Sequence, residues 1–289
     1  MMTEHVRADA EALVIRGADG VGASGVVVGA ATDVGRLRTI NEDGYLAIAP
    51  AFVVVDGMGG HAAGRMATQV ALDSLYALAG TIVTDVDTVV RAVMAAQEAI
   101  IAIPSHAAYL PGATIAGVIL AWMADEQGVT RPTWIIFNIG DARVYLLRDD
   151  MLSQVTRDHS RVQILIETGE LTPEQARRDS RRNVVTRALG GGIADSAVPD
   201  LYSVPVAAGD RLLICSDGLS DELDDEAIAT VLAAGRTAQR TAELLVAASL
   251  EGGGHDNTTA VVVDCLQVPT SLPAVPVAVP DGAGTQGAQ

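Results

Sequence analysis

Two apolar, β-branched runs each end in Asp-Gly: Phe52-Val53-Val54-Val55-Asp56-Gly57 and Leu212-Leu213-Ile214-Cys215-Ser216-Asp217-Gly218. Asn41-Glu42-Asp43 precedes the first and Asp256-Asn257 follows the second. A short Asp side chain at the end of a buried strand is a common way to present a metal ligand, and the following Gly lets backbone approach an ion closely. Asp43, Asp56, Asp217 and Asp256 each adjoin such a run, as one site assembled from distant segments would require. Carboxylates brought together repel and need protons or cations. With no Lys in the chain and no His-rich set, oxygen-liking Mg(II), Mn(II) or Ca(II) is favoured over Zn(II). Two such ions would lower the pKa of a bridging water to give a hydroxide nucleophile and neutralise charge on a transferring phosphoryl group. Arg38, upstream of Asp43, could supply a bidentate phosphate clamp. The implied chemistry is hydrolysis.

Taken singly, each piece has a plainer reading. An Asp-Gly after a strand is more often a turn than a ligand. The arginines 177, 178, 181 and 182 read as a solvated helix face. Asp221, Glu222, Asp224, Asp225 and Glu226 read as helix-start chemistry near the amide dipole. His61, His159 and His255 each adjoin a motif, yet a lone His is more often hydrogen-bonded structure than catalyst. Their joint order carries the weight.

The elements that must position these residues follow from pattern. The 289 residues are enough for a substantial core, and an aromatic content of 3% means that Ala, Val, Leu and Ile build it. A net charge of -17 argues against a nucleic-acid binder, and the absence of Lys excludes a Walker-type phosphate lysine and Schiff-base catalysis. Cys215 and Cys265 are lone thiols outside any C-x-x-C, which suits a reducing compartment. No apolar stretch reaches the ~18 residues of a membrane span, and the N-terminus lacks a signal-peptide pattern, so the expected location is cytoplasmic.

Residues 1–25 read as a loose extension, 26–266 as the catalytic domain, and 267–289 as a disordered Pro/Ala/Gly-rich tail. Strands are expected within Val26–Val55 on both sides of a polar Arg36–Asp43 stretch, then over Thr114–Trp122, Thr133–Ile139, Arg143–Leu147, Arg211–Cys215 and Thr258–Val263. Helices are expected over Gly64–Leu78, Val86–Ile103, Asp224–Ala234 and Ala238–Leu250, with a capping-box start at Thr172-Pro173-Glu174-Gln175. Strands gathered in groups with helices between them indicate α+β layers.

In this order, Arg38-Thr39-Ile40-Asn41-Glu42-Asp43, Asp56-Gly57-Met58-Gly59-Gly60-His61, Gly140-Asp141-Ala142-Arg143, Asp158-His159-Ser160, Arg187-Ala188-Leu189-Gly190, Ser216-Asp217-Gly218 and Asp256-Asn257-Thr258-Thr259 resemble the type 2C metal-dependent Ser/Thr protein phosphatases, in their bacterial form. The resemblance implies a four-layer αββα sandwich with two central antiparallel sheets. It implies that Asp56 bridges two Mn(II) or Mg(II) ions, that the Gly57 carbonyl and Asp256 serve the first and Asp217 the second. Glu42 and Asp43 act through metal-bound water, Asp141 shares a third, weaker ion with Asp217, and Arg38 binds phosphate. Residues 161–182 correspond to a flap beside the site. The implied partners are phosphorylated proteins and a Ser/Thr kinase that the enzyme opposes, with no nucleic acid or membrane, and the chain is expected to be a monomer.

Three departures stand out. Ala113 and Ala142 replace hydroxyl-bearing residues of the family pattern, which implies tuning and not inactivation. Met58 stands where eukaryotic relatives carry a His proposed as general acid. Other phosphatase chemistries fail on spacing: the residues six after Cys215 and Cys265 are Asp221 and Ser271 where a thiol phosphatase needs Arg, and neither Asp56 nor Asp217 has a second Asp two residues on. The remaining rival is a metal-poor binding module that keeps the fold to recognise phosphoproteins.

Overall fold

Period-two alternation sorts the strand side chains into two cores. In β4 (Ala51–Met58) and β5 (Gly112–Ala124) both faces are apolar, because each face meets a different layer. Val53, Val55, Ile115 and Ile119, with Ile135 and Phe137 of β6 (Thr130–Ile139), pack against α1 (Ala62–Leu75) and α2 (Val86–Ile101). Phe52, Val54, Ala116 and Val118, with Trp134 and Ile136, point the other way, onto a second sheet. The third core lies beyond that sheet, where Tyr145, Leu213 and Val262 meet α6 (Asp225–Leu232) and α7 (Ala238–Gly252). The protein is therefore a four-layer αββα sandwich. Each fully buried Val, Leu or Ile contributes about 1.5–3 kcal/mol, so the paired cores hold the strand ends in register.

The computed structural model describes residues 13–16, 25–60, 62–104, 110–193 and 198–270. One sheet runs β1 (Leu13–Arg16), β3 (Asp43–Ile48), β4, β5, β6, β10 (Asp200–Pro205), with the two-residue β9 (Leu189–Gly190) beside β5. The other runs β2 (Val26–Asp33), β12 (Thr258–Cys265), β11 (Arg211–Cys215), β7 (Arg143–Arg148), β8 (Met151–Gln154). Among the described residues all strand pairings are antiparallel except β1 with β3.

Leu13–Arg16 corrects the reading of residues 1–25 as wholly loose: the run Leu-Val-Ile-Arg adds to the free edge of β3, where Leu13 is level with Gly44. β8 and β10 carried too little apolar pattern to be expected. β8 closes a two-residue hairpin through Asp149 and Asp150, at φ 52° and 61°, the mirror-image turn that suits strand twist. β10 ends in Pro205 at the sheet edge, a position that tolerates a missing N–H. Most of the tail assigned to 267–289 lies outside the described residues.

Helix boundaries have local causes. Asp85 caps α2 by accepting from Thr88 N at 2.8 Å, Asp224 caps α6 through Ala227 N, and Thr237 caps α7 through Arg240 N. The expected capping box at Thr172 is present, but its helix α4 (Pro173–Ala176) is one turn long, because Arg177 ends it. With α3 (Arg161–Glu167) it forms a small layer over the end of the sandwich. No helix among the described residues is long and apolar enough to cross a membrane.

Candidate metal centre

Antiparallel pairing brings strand starts and ends to the same edge. Asp43 opens β3 and is in register with Asp56 near the end of β4. The end of β11 leads into Asp217, and Cys215 of that strand is level with Ala260 near the start of β12, which Asp256 precedes. Cys215 is also level with Arg143, two residues after Asp141. Both sheets thus deliver carboxylates to one end of the sandwich. Asp217 then opens the single-turn helix α5 (Asp217–Ser220).

Hydrogen bonds fix this end from behind. Ser216 and Thr259 hydroxyls each donate to Asp43 Oδ2 at 2.7 Å, and Thr259 N donates to Ser216 Oγ at 2.9 Å. The Glu42 N–H donates to Asn257 Oδ1 at 2.8 Å, while Asn257 Nδ2 donates to the Val34 and Ile40 carbonyls at 2.9 and 3.0 Å. Asn257 thereby sews the polar loop before β3 onto β12. Thr68 of α1 donates to the Glu42 carbonyl at 2.6 Å. A Cβ at Gly57 would lie 2.4 Å from the Gly64 carbonyl oxygen, and one at Gly64 would lie 2.3 Å from Glu42 Oε1, so the Asp56-Gly57 end of β4 and α1 approach as only glycines allow.

The Gly140-Asp141 turn is held by His159. Gly140 N donates to His159 Nδ1 at 3.0 Å, and His159 N donates to the Gly140 carbonyl at 2.8 Å. Nδ1 is therefore the acceptor of a neutral imidazole, whose Nε2 lies 3.1 Å from Asp200 Oδ2 and 2.8 Å from Arg187 Nη1. Burial holds this imidazole below its ordinary value, which keeps it in that neutral form. On the other side of the turn, Arg143 makes a forked contact with Asp158, with Nη2 to Oδ2 at 2.6 Å. His159 is structural here, as its plainer reading held.

The electrostatics are those of crowded acids. Burial pushes Asp56 well above the carboxylate range, and the charges of Asp43, Asp217, Asp256 and Asp141 push it further. Asp217 rises for the same reasons, with Asp141 and Asp221 pushing hardest among its acidic neighbours. Asp43 and Asp141 are each raised to about 7, by burial first and neighbouring acids next. Asp43 Oδ1 and the hydroxyl of Thr114, level with Asp56 on β5, are buried with no hydrogen-bond partner. Among the described residues no three Asp, Glu, His or Cys side chains form a ready-made ion-holding group. The carboxylates nevertheless share one field, as their mutual effects on one another's protonation show. An all-oxygen donor set with orphaned buried oxygens fits a hard divalent cation.

Arg38 reaches this end too, half exposed, and donates from Nη2 to Asp256 Oδ2 at 2.6 Å. Burial pushes the Cys215 thiol up to about 12, so it stays protonated at neutral pH. His255 pairs with Glu222 at 2.6 Å, and His61 lies outside the described residues. Ala113 and Ala142 both pack in the apolar cores, where a hydroxyl would need its own partner. The methyl of Met58 would be only 2.4 Å from a Cβ at Gly191, so this side chain fills space beside β9. Sequence reasoning passed over Ser216, Thr259, Thr68 and Asn257 as individual supports; the signal available was polar residues interrupting apolar strand ends.

Two earlier readings change. Asp224, Asp225 and Glu226 do start α6, but Asp221 sits against the site and is raised by burial there. The arginine stretch is not a solvated helix face throughout: Arg177 and Arg182 turn inward to Ser220 and Asp221, while Arg181 pairs locally with Asp179. Between these arginines and α5 lies a cavity of about 660 Å3, with Asp141 and Asp217 in its wall.

Comparison with known proteins identifies the family. The family model for protein phosphatase 2C matches residues 39–252. The serine/threonine protein phosphatase PstP of Mycobacterium tuberculosis is 38% identical over 240 residues, covering 81% of this chain, which spans 44% of that protein. The serine/threonine phosphatase stp of Listeria innocua is 32% identical over 244 residues, covering 81% of this chain and 93% of the relative. Among solved structures, M. tuberculosis PstP superposes with a TM-score of 0.73 at 36% identity, over 83% of this chain and 98% of that one. The PstP catalytic domain in complex with two manganese ions gives 0.71 at 35% identity, over 83% and 97%. Matched by the family model over most of its length and at least 32% identical to both phosphatases over 81% of the chain, this chain belongs to the protein phosphatase 2C family.

Proposed function

We propose that the chain hydrolyses phosphoserine and phosphothreonine in proteins with the help of Mn(II) or Mg(II). The observation that carries this reading is the carboxylate set around Asp56, each buried member raised by burial and by neighbouring acids. Asp56 would bridge two ions, the Gly57 carbonyl and Asp256 would complete the first, Asp217 the second, with Glu42 and Asp43 behind them and Asp141 sharing a third ion with Asp217. When bound, such ions supply a nucleophile at neutral pH and neutralise charge on the transferring phosphoryl group. Arg38 offers its guanidinium fork to phosphate while its bond to Asp256 orients it. Ser216, Thr259 and Asn257 hold Asp43 and Glu42 in place before any substrate arrives. The Met58 thioether has no proton to give, so the leaving Ser or Thr oxygen takes its proton from water or from another residue.

Phosphorylated proteins are the proposed partners, as substrates of a Ser/Thr kinase that this enzyme opposes or as a single phosphorylated regulator. The proposed working form is a monomer in the cytoplasm. The test is p-nitrophenyl phosphate hydrolysis after chelation and with Mn(II) or Mg(II) restored, beside the Asp56→Asn variant. Metal-dependent turnover that disappears in the variant supports the reading. No turnover with any metal, on this ester or on a phosphothreonine peptide, sinks it in favour of a phosphoprotein-binding module.

A further inference from the structure

The helix α5 is a single turn, yet it begins with Asp217 and is followed by Asp221. So short a helix cannot hold itself, because most of its carbonyls lack intrahelical donors. On one side it is clamped by the body: the Gly218 carbonyl accepts from Ser249 at 2.9 Å and from Thr258 at 3.2 Å. A Cβ at Gly218 would be 2.0 Å from the Asn257 carbonyl oxygen, so this side is in close contact. Internally, the Asp217 and Leu219 carbonyls accept from the amides of Asp221 at 2.7 Å and Leu223 at 3.0 Å.

The Ser220 and Asp221 carbonyls are met from the flap. Donors for both come from one flap residue. Arg177 Nη1 donates to the Ser220 carbonyl at 3.0 Å and Nη2 donates to the Asp221 carbonyl at 3.1 Å. A guanidinium at the carbonyl end of a helix also meets the negative end of its dipole. The planar fork spans two successive carbonyls, which a Lys ammonium cannot do with the same geometry. Arg177 is placed there by its own backbone, since it is the residue that ends α4 after the Thr172 capping box.

We infer that Arg177 is a positioning residue: from the flap it anchors the carbonyl end of α5, and through that one turn it sets the Asp217 carboxylate. The ligand role of Asp217 rests on the function proposed above; the anchoring does not. The flap and the site are then mechanically one unit, joined across the wall of the 660 Å3 cavity. Neighbouring Arg178 is exposed and serves as the control for flap charge alone.

The experiment measures amide hydrogen exchange of residues 217–223 in the metal-free full chain, and Mn(II) binding by the signal of the free ion. In Arg177→Ala, the Asp221 and Leu223 amides should exchange roughly tenfold faster and Mn(II) should bind roughly tenfold more weakly, the low end for hydrogen bonds from a charged donor. At saturating Mn(II), kcat on p-nitrophenyl phosphate should stay within about twofold of wild type, because the residue acts through another and touches no substrate. Arg178→Ala should match wild type in all three. Wild-type exchange at Asp221 and Leu223 in Arg177→Ala would overturn the inference. Should that variant fail to melt cooperatively, Arg177→Lys replaces it with intermediate exchange expected, and wild-type exchange there overturns the inference equally. If the wild type itself binds no Mn(II) and turns over no ester, the phosphatase reading falls while the exchange data still decide whether Arg177 anchors α5.

Discussion

Asp43 and Asp210 are equally buried, each 1% exposed, and lie at opposite ends of the sandwich. Asp210 stands just before β11, whereas Asp217 follows that strand, so the two ends of one strand carry acids with opposite fates. Asp210 receives four donors: Arg148 Nε at 2.6 Å, Arg148 Nη2, Trp134 Nε1 and Ala207 N at 2.8 Å. Asp43 receives two hydroxyls on one oxygen and nothing on the other, and its neighbours are further acids. A buried carboxylate with an arginine and a full set of donors is a fastening. One left with orphaned oxygens among like charges stores a demand for a cation, at the expense of stability when none is bound.

The contrast is most sharply tested by neutralising an acid at each end. Asp56→Asn or Asp217→Asn should cut metal-dependent turnover by about 10³-fold or more, equivalent to losing at least ~4 kcal/mol of transition-state stabilisation. The chelated form of either variant should melt no lower than chelated wild type, because a buried acid whose ionisation burial and its neighbours oppose has gone. Near-normal turnover in either variant would remove that residue from the site. Asp210→Ala should do the reverse, losing about 3 kcal/mol of stability in a urea melt, the low end for breaking a buried pair because Arg148 is partly exposed. A loss below about 1 kcal/mol would show that this end is not the fastening described.

A subtler effect concerns pH. Asp43 and Asp141 are raised to about 7, so the folded metal-free protein holds protons that the unfolded chain has already released. Stability from these groups is present below the ordinary carboxylate value near 4 and is lost as pH climbs through about 7. Chelated protein should therefore melt lower at about pH 8 than at about pH 6, and saturating Mn(II) should shrink or reverse the difference. Equal melting of the chelated form at both pH values would mean that the acids are not coupled as described. The smallest effect is expected at half-exposed Arg38: Arg38→Ala should raise KM roughly five- to tenfold with a lesser change in kcat, and an unchanged KM would remove its phosphate role.

The strands that carry the acids were legible because each is an apolar run that ends abruptly at an Asp-Gly or opens at the end of Asn-Glu-Asp. Such runs are buried on both faces, and their ends are marked by chemistry. Asp43, Asp56, Asp217 and Asp256 could be picked out as candidates for that reason, whereas Asp141 was named only through the family resemblance. β8 and β10 were not legible: they are short edge strands of mixed polarity, assigned by what they pair with. The arginines between 177 and 182 misled because local pattern cannot say which way a one-turn helix points its neighbours. Asp221 misled for the same reason, as an acid beside a real helix start that belongs instead to the site.

By itself, then, the sequence determined the layer type, the acidic strand ends and the hard-cation chemistry, since periodicity and residue type act within a few residues of one another. Tertiary structure alone decided the rest: that Asp43 is held by Ser216 and Thr259 from the other sheet, that Asn257 ties the loop before β3 to β12, and that Arg177 reaches across to α5. These contacts join residues some 43 to more than 200 positions apart, and no local signal specifies a partner at that distance. Only the packing of two sheets face to face brings them within hydrogen-bond reach.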